Sequence, residues 1–143
     1  MTIKRNGSAV WSGGIKDGKG AVSTGSGALK EAPYGFNTRF EDSPGTNPEE
    51  LIGAAHAGCF TMALSGQLGK AGMTAQELRT TATVSMEKEG DGFTITAVHL
   101  DLVAKIPGAS QEDFDKAATT AKENCPVSKL LNAEITLSSR LEN

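Results

Sequence analysis

The sequence predicts an α+β domain, a sheet with segregated helices in the order βββ-α-ββ-αα-β. Three observations carry that expectation. The first forty residues read as short strands punctuated by glycine. An apolar helix then starts sharply at Pro48 and runs to about Lys70, where Gly72 stops it. Beyond it, two alternating segments are followed by a striped helix, a short helix and a closing strand. A chain of 143 residues with no internal repeat, low-complexity tract or linker fits one domain over residues 1–143.

Ala9-Val10-Trp11 ends a first strand, and the glycine-dense stretch from Gly13 to Gly20 connects it to a second that includes Val22. No helix start or GK[ST] follows those glycines, so they read as a turn rather than a phosphate cradle. Tyr34, Phe36, Thr38 and Phe40 alternate with Gly35, Asn37, Arg39 and Glu41, which predicts an extended segment with Arg39 on its polar side. Asn47 can cap the long helix, Pro48 suits its first position, and Glu49 and Glu50 suit the positive end of its dipole. Leu51 to Leu64 is apolar or small on every face, so the helix is expected to be central and buried. Gly53, Ala54, Ala55, Ala57 and Gly58 would let another helix approach closely. Leu78 to Met86 and Phe93 to Ile106 are expected to pair about the turn Glu89-Gly90-Asp91-Gly92, with a bulge near Ala97-Val98 where the alternation slips. Ser110 with Asp113 reads as a capping box for a helix striped by Phe114, Ala117, Ala118 and Ala121. A break at Asn124-Cys125-Pro126 opens a short helix through Leu131. The alternation from Ala133 to Leu141 predicts the last strand.

Composition narrows the functional classes. A formal net charge of −3 with no block of like charge disfavours nucleic-acid binding, which needs a concentrated basic face. The longest apolar run is interrupted by Gly53, His56 and Gly58 and falls short of the ~20 residues of a membrane span. With no charged-then-apolar leader at Met1, the chain is expected to be soluble and cytoplasmic. In that reducing compartment the two cysteines are not expected to form a structural disulfide.

Chemistry therefore falls on few residues. Cys125 precedes Pro126 at a helix start, where unpaired N–H groups and the dipole favour thiolate; that context marks it as the more acidic thiol. Cys59 lies midway along the buried helix, and burial alone would raise its pKa and leave it inert. It becomes a nucleophile only with a cation and donors delivered to it. Arg39 is the best candidate cation, with Glu49 to hold its fork. His56, one turn before Cys59, reads either as a base or as a polar residue in a helix seam with one hydrogen bond. His99 is expected in a strand and exposed. The spacing of His56, Cys59 and Cys125 specifies no zinc site, and no metal or other cofactor is expected.

Three segments are distinctive as they stand: Pro33 to Glu41, Gly45 to Phe60, and Asn124-Cys125-Pro126-Val127-Ser128 followed by Ala133 to Leu137. They resemble the osmotically inducible protein C (OsmC) family over essentially the whole chain, and its OsmC branch more than the sister organic hydroperoxide resistance branch. The resemblance implies an intertwined homodimer that reduces organic hydroperoxides, and hydrogen peroxide more weakly, at the expense of an external thiol or dithiol. It implies a peroxidatic Cys59, a resolving Cys125, and an activating pair Arg39 and Glu49. The peroxidatic assignment reverses the order of acidity suggested by the helix start. Two other classes stay open on the residues: a cysteine hydrolase using Cys59 and His56, and a non-catalytic redox sensor or small-molecule carrier.

Overall fold

The computed structural model describes residues 1–142. They form two compact units, Met1–Leu51 and the residues from Ile52 onward. In the first unit, β1 (Gly7–Ser12), β2 (Lys19–Thr24) and β3 (Ala32–Tyr34) make an antiparallel sheet in the order β1-β2-β3. Trp11 packs on Tyr34 across it, with ring centroids 5.6 Å apart. Strand β1 is exposed along its whole length, and Val10 keeps 70% of its surface in water.

The structure corrects the sequence reading at Phe36–Phe40, which forms the short helix α1 rather than an extended segment. Two aromatics four residues apart fit either period. Here they meet as helical neighbours, with Phe36 and Phe40 centroids 5.0 Å apart. Thr38 decides the choice locally: its buried hydroxyl accepts from Gly35 N–H at 2.8 Å and donates to the Gly35 carbonyl at 3.0 Å, winding the first turn. The element order is therefore βββ-αα-ββ-αα-β.

Helix α2 (Pro48–Lys70) begins as the capping residues require. Asn47 Oδ1 accepts from Glu50 N–H at 2.8 Å, and Asn47 Nδ2 donates to the Thr38 carbonyl at 3.1 Å. One side chain thus caps α2 and ties it to α1. The turn before it depends on Gly45, at φ +138°, where a Cβ would lie 2.8 Å from both the Pro33 carbonyl oxygen and Thr38 Cγ2.

In the second unit, α2 buries Gly53, His56, Phe60, Leu64 and Leu68. The last four recur every fourth residue, which keeps them on one side of the helix. Strands β4 (Glu77–Glu89) and β5 (Gly92–Lys105) form the expected hairpin. Ser85 pairs with Ala97 and Met86 with Ile95, which leaves Thr96 as the extra residue, beside the expected bulge. Ser110 Oγ caps α3 (Gln111–Asn124) by accepting from Asp113 N–H at 3.1 Å. After α4 (Pro126–Leu130), β6 (Glu134–Glu142) returns parallel to β5, so the sheet order is β4-β5-β6. The helical crossover is what a parallel neighbour requires.

The apolar core lies in this unit. Val98, Leu100, Leu102 and Ala104 line one face of β5 and cluster with Phe60, Leu64 and Leu68 of α2 and with Phe114, Ala117, Ala118 and Ala121 of α3. Gly53 lets α2 approach the sheet, not another helix: its Cβ would stand 3.1 Å from the Ala82 carbonyl oxygen. Ala54, Ala55, Gly58 and Met62 remain exposed on the helix, Met62 to 80%.

The Gly45 geometry gives a stability prediction. Gly45→Ala should lower unfolding free energy by more than about 1 kcal/mol, because alanine must adopt positive φ against a backbone oxygen. Urea unfolding of the two proteins measures it, and equal midpoints would show that the turn relaxes freely.

Candidate active site

Four side chains proposed for chemistry fall into two pairs, one in each unit. Arg39, from α1, and Glu49, from the first turn of α2, form a two-pronged ion pair. Arg39 Nε donates to Glu49 Oε1 at 3.0 Å, and Nη2 donates to Oε2 at 2.9 Å. The Asn47 cap and the Gly45 turn bring the two elements into register for it. Glu49 is 12% exposed and Arg39 39%, so the guanidinium is fixed on one side and open on the other. Its carbon also sits 5.3 Å from the Phe40 ring centroid. Arg39 borders a cleft of about 300 Å³ walled by Trp11, Ile15, Tyr34, Phe36 and Phe40.

Cys59 of α2 and Cys125 are brought together in the second unit, both as free thiols, near enough for each to shift the acidity of the other. Cys125 is fully buried and Cys59 partly so. The Cys125 backbone is held on both sides: its N–H closes α3 on the Ala121 carbonyl at 3.0 Å, and its carbonyl accepts from Lys129 N–H at 3.1 Å. Its sulfur caps α4, accepting from Ser128 N–H at 3.4 Å and from the Ser128 hydroxyl at 3.5 Å.

These donors separate the two thiols. Burial pushes the Cys59 thiol up; the Val127 N–H opposes this but does not overcome it. Burial acts on Cys125 in the same direction. There the hydroxyl and N–H of Ser128, the Cys59 thiol and the Val127 N–H together hold it below its ordinary value. Cys125 is the more acidic thiol, as its position at a helix start implies.

His56 is buried and does not address Cys59. Its Nε2 lies 2.7 Å from Ser128 Oγ, and Nδ1 has no partner. A hydrolase reading in which His56 activates Cys59 therefore lacks its hydrogen bond. His99 differs from expectation: it is half-buried, with Nδ1 2.6 Å from Thr136 Oγ1 across the β5–β6 pair. Sequence reasoning gave Ser128 no role, although its position three residues after a helix-capping cysteine is the signal for one. Among the described residues, no cluster of three or more His, Cys, Asp or Glu side chains could hold a metal ion, and no helix is long and apolar enough to cross a membrane.

The neighbouring cysteines and the arginine fork held on a glutamate sit in an α+β protein. Comparison places it further. The family model for OsmC-like proteins matches residues 40–140. The chain is 55% identical to peroxiredoxin OsmC of Escherichia coli over 143 residues, covering 100% of both chains. It belongs to the OsmC family. Among solved structures, an organic hydroperoxide resistance protein from Elizabethkingia anophelis aligns with a TM-score of 0.69 at 26% identity, covering 100% of this chain and 99% of that one. An OsmC-like protein of Vibrio cholerae shares the fold, with a TM-score of 0.78 at 16% identity over 97% of this chain and 100% of that one.

The buried imidazole predicts a pH dependence of stability. Desolvation lowers the His56 pKa in the folded protein, while the unfolded chain takes up a proton below the ordinary value of 6.5. The unfolded state then binds more protons, so the stability present above that pH is lost progressively as pH falls below it. Compared from about pH 8 to 5, the unfolding free energy of wild type relative to that of His56→Gln should fall on the acid side. A constant difference would contradict a neutral buried His56.

Proposed function

We propose that the protein is a thiol-dependent peroxidase that reduces organic hydroperoxides to alcohols, and hydrogen peroxide more weakly, in the cytoplasm. One OsmC-like domain spans residues 1–143 in this reading. The observation that carries it is the proximity of Cys59 and Cys125, two free thiols far apart in sequence that influence each other's acidity and are shifted in opposite directions. The names of the E. coli and Elizabethkingia relatives, a peroxiredoxin and an organic hydroperoxide resistance protein, support the same chemistry.

In the proposed cycle the Cys59 thiolate attacks a peroxide oxygen. A sulfur–oxygen bond forms, the oxygen–oxygen bond breaks, and the leaving alkoxide takes a proton to become the alcohol. Arg39 stabilises both the thiolate and the charge growing on the leaving oxygen, with Glu49 holding the fork in place. The organic part of the substrate lies against the aromatic and aliphatic wall beside Arg39, which offers hydrogen peroxide nothing to bind. Cys125 then closes a disulfide with the Cys59 sulfenic acid, and an external thiol or dithiol reduces it. No metal or other cofactor takes part.

Arg39 and Glu49 reach Cys59 in this reading from a second copy of the chain. Glu49 and Cys59 are ten residues apart in one continuous helix, about 15 Å along its axis and on different faces. A glutamate side chain does not span that. An antiparallel crossing of two α2 helices would close the gap, and the exposed Ala54, Ala55 and Gly58 permit the close approach. The exposed β1, with Val10 and Trp11, likewise suits cover by a partner.

Two experiments test this. Cys59→Ser should abolish turnover, whereas Cys125→Ser should still reduce one peroxide and leave a sulfenic acid on Cys59 that dimedone labels. Labelling that needs Cys125 and not Cys59 would invert the roles. Mixing inactive Cys59→Ser with inactive Glu49→Ala subunits should restore measurable peroxidase activity, because the hybrid holds one site with both residues intact. A fully active monomer in solution would sink the shared site.

A further inference from the structure

We propose that His56 is a positioning residue for Cys125, acting through Ser128: the imidazole Nε2–H holds the Ser128 hydroxyl so that its proton points at the Cys125 sulfur. The inference rests on the reading that Cys125 closes the disulfide, and assigns a function to His56, a buried titratable side chain that the cycle above leaves idle.

The geometry is a chain of three groups. His56 Nε2 stands 2.7 Å from Ser128 Oγ, and Ser128 Oγ stands 3.5 Å from Cys125 Sγ. A hydroxyl has one proton to give. If it goes to the sulfur, the imidazole must supply the other hydrogen bond, so the proton sits on Nε2 and Nδ1 carries a bare lone pair. The surroundings of Nδ1 agree, because it is buried without a partner. An orphaned buried N–H is the rarer state of a polar atom, so the tautomer with an unprotonated Nδ1 is preferred. Burial also keeps the ring neutral. A neutral donor can fix a hydroxyl rotor without placing a cation in the core.

The fold makes the arrangement rigid. His56 is one turn before Cys59 on α2, and Ser128 is three residues after Cys125 in the first turn of α4. The His56–Ser128 bond therefore joins the element carrying one sulfur to the element carrying the other. The Ser128 N–H reaches the same sulfur at 3.4 Å, so one residue presents two donors to it.

The step served is disulfide closure. The Cys125 sulfur forms a bond to the Cys59 sulfur, the sulfur–oxygen bond of the sulfenic acid breaks, and the departing hydroxide takes the proton lost by the Cys125 thiol to leave as water. The oxidising equivalents come from the peroxide already consumed, and Ser128 and His56 are unchanged at the end. Donors aimed at Cys125 raise its thiolate fraction before the attack.

The test separates the two imidazole nitrogens. In glutamine the amide nitrogen falls where Nε2 lies, and in asparagine where Nδ1 lies. With Cys59→Ser as background, the Cys125 thiolate is followed by its ultraviolet absorbance as pH is raised. His56→Asn should reduce the thiolate fraction at neutral pH about tenfold, and His56→Gln should recover most of it. Ser128→Ala should match His56→Asn, and combining the two should add nothing further. The Ser128→Ala arm also serves if His56→Asn does not fold. Equal titrations for asparagine, glutamine and wild type, or additive losses in the double variant, would overturn the proposal. The titration uses no peroxide. If it follows the expected pattern but peroxide leaves no Cys59–Cys125 disulfide in the unaltered chain, the peroxidase reading fails and the positioning role stands.

Discussion

Cys125 is buried and Cys59 half-buried, so each must obtain from the protein some of the donors that water would otherwise supply to a thiolate. The chain answers this unequally. Cys125 sits at a helix start, where N–H groups are unspent, and gathers the two donors of Ser128 and the Val127 N–H. Cys59 sits in the middle of a helix, where every backbone N–H is already committed to a carbonyl one turn back. Only the Val127 N–H works to lower its pKa, while burial and the neighbouring Cys125 raise it. Difference in acidity follows from position in a helix, before any side chain is invoked.

In the proposed cycle the Arg39–Glu49 pair answers that deficit. An arginine fixed by a carboxylate on one edge keeps its other donors free, and 39% exposure leaves them accessible. As a contribution to stability such a pair is small, since exposed ion pairs are worth roughly 0–1 kcal/mol. Its construction is nonetheless elaborate: the Thr38 hydroxyl, the Gly45 turn and the two-sided Asn47 amide all serve to bring α1 and the first turn of α2 together. Structure spent on a bond of little stabilising value points to a use in which the guanidinium itself matters.

Much of this was legible in the sequence. Asn47-Pro48-Glu49-Glu50 marks the start of α2 by capping chemistry, and the slipped alternation near Ala97 marks the bulge that Thr96 makes. Cys125 before Pro126 announces a thiol at a helix start. Local signals fail where two periods coincide, as at Phe36 and Phe40, whose spacing suits a strand or one helical turn. They fail again where a contact joins distant segments. Nothing local tells His56 that its partner is Ser128, 72 residues away, or tells Gly53 that it faces a strand carbonyl. The all-round apolar character of α2 predicts burial on every side. In one chain only the side carrying His56, Phe60, Leu64 and Leu68 is buried, and the small residues opposite are exposed. An apolar helix face left open in one copy is what the proposed pairing of two α2 helices would cover.

The acidity order and the proposed order of reaction are compatible once the last step of the cycle is considered. In thiol–disulfide exchange the entering thiol attacks one sulfur, and the other leaves faster when its thiol is more acidic. Cys125 carries the donors that stabilise a departing thiolate, so reduction is favoured by attack on Cys59. Access agrees with this, because Cys59 is partly exposed and Cys125 is buried. A buried, acidic Cys125 thus serves twice in the proposed cycle, as the attacking sulfur when the disulfide forms and as the leaving sulfur when it is reduced. Cys59 then needs strong nucleophilicity only at its encounter with peroxide, the one step in which Arg39 is assigned a part.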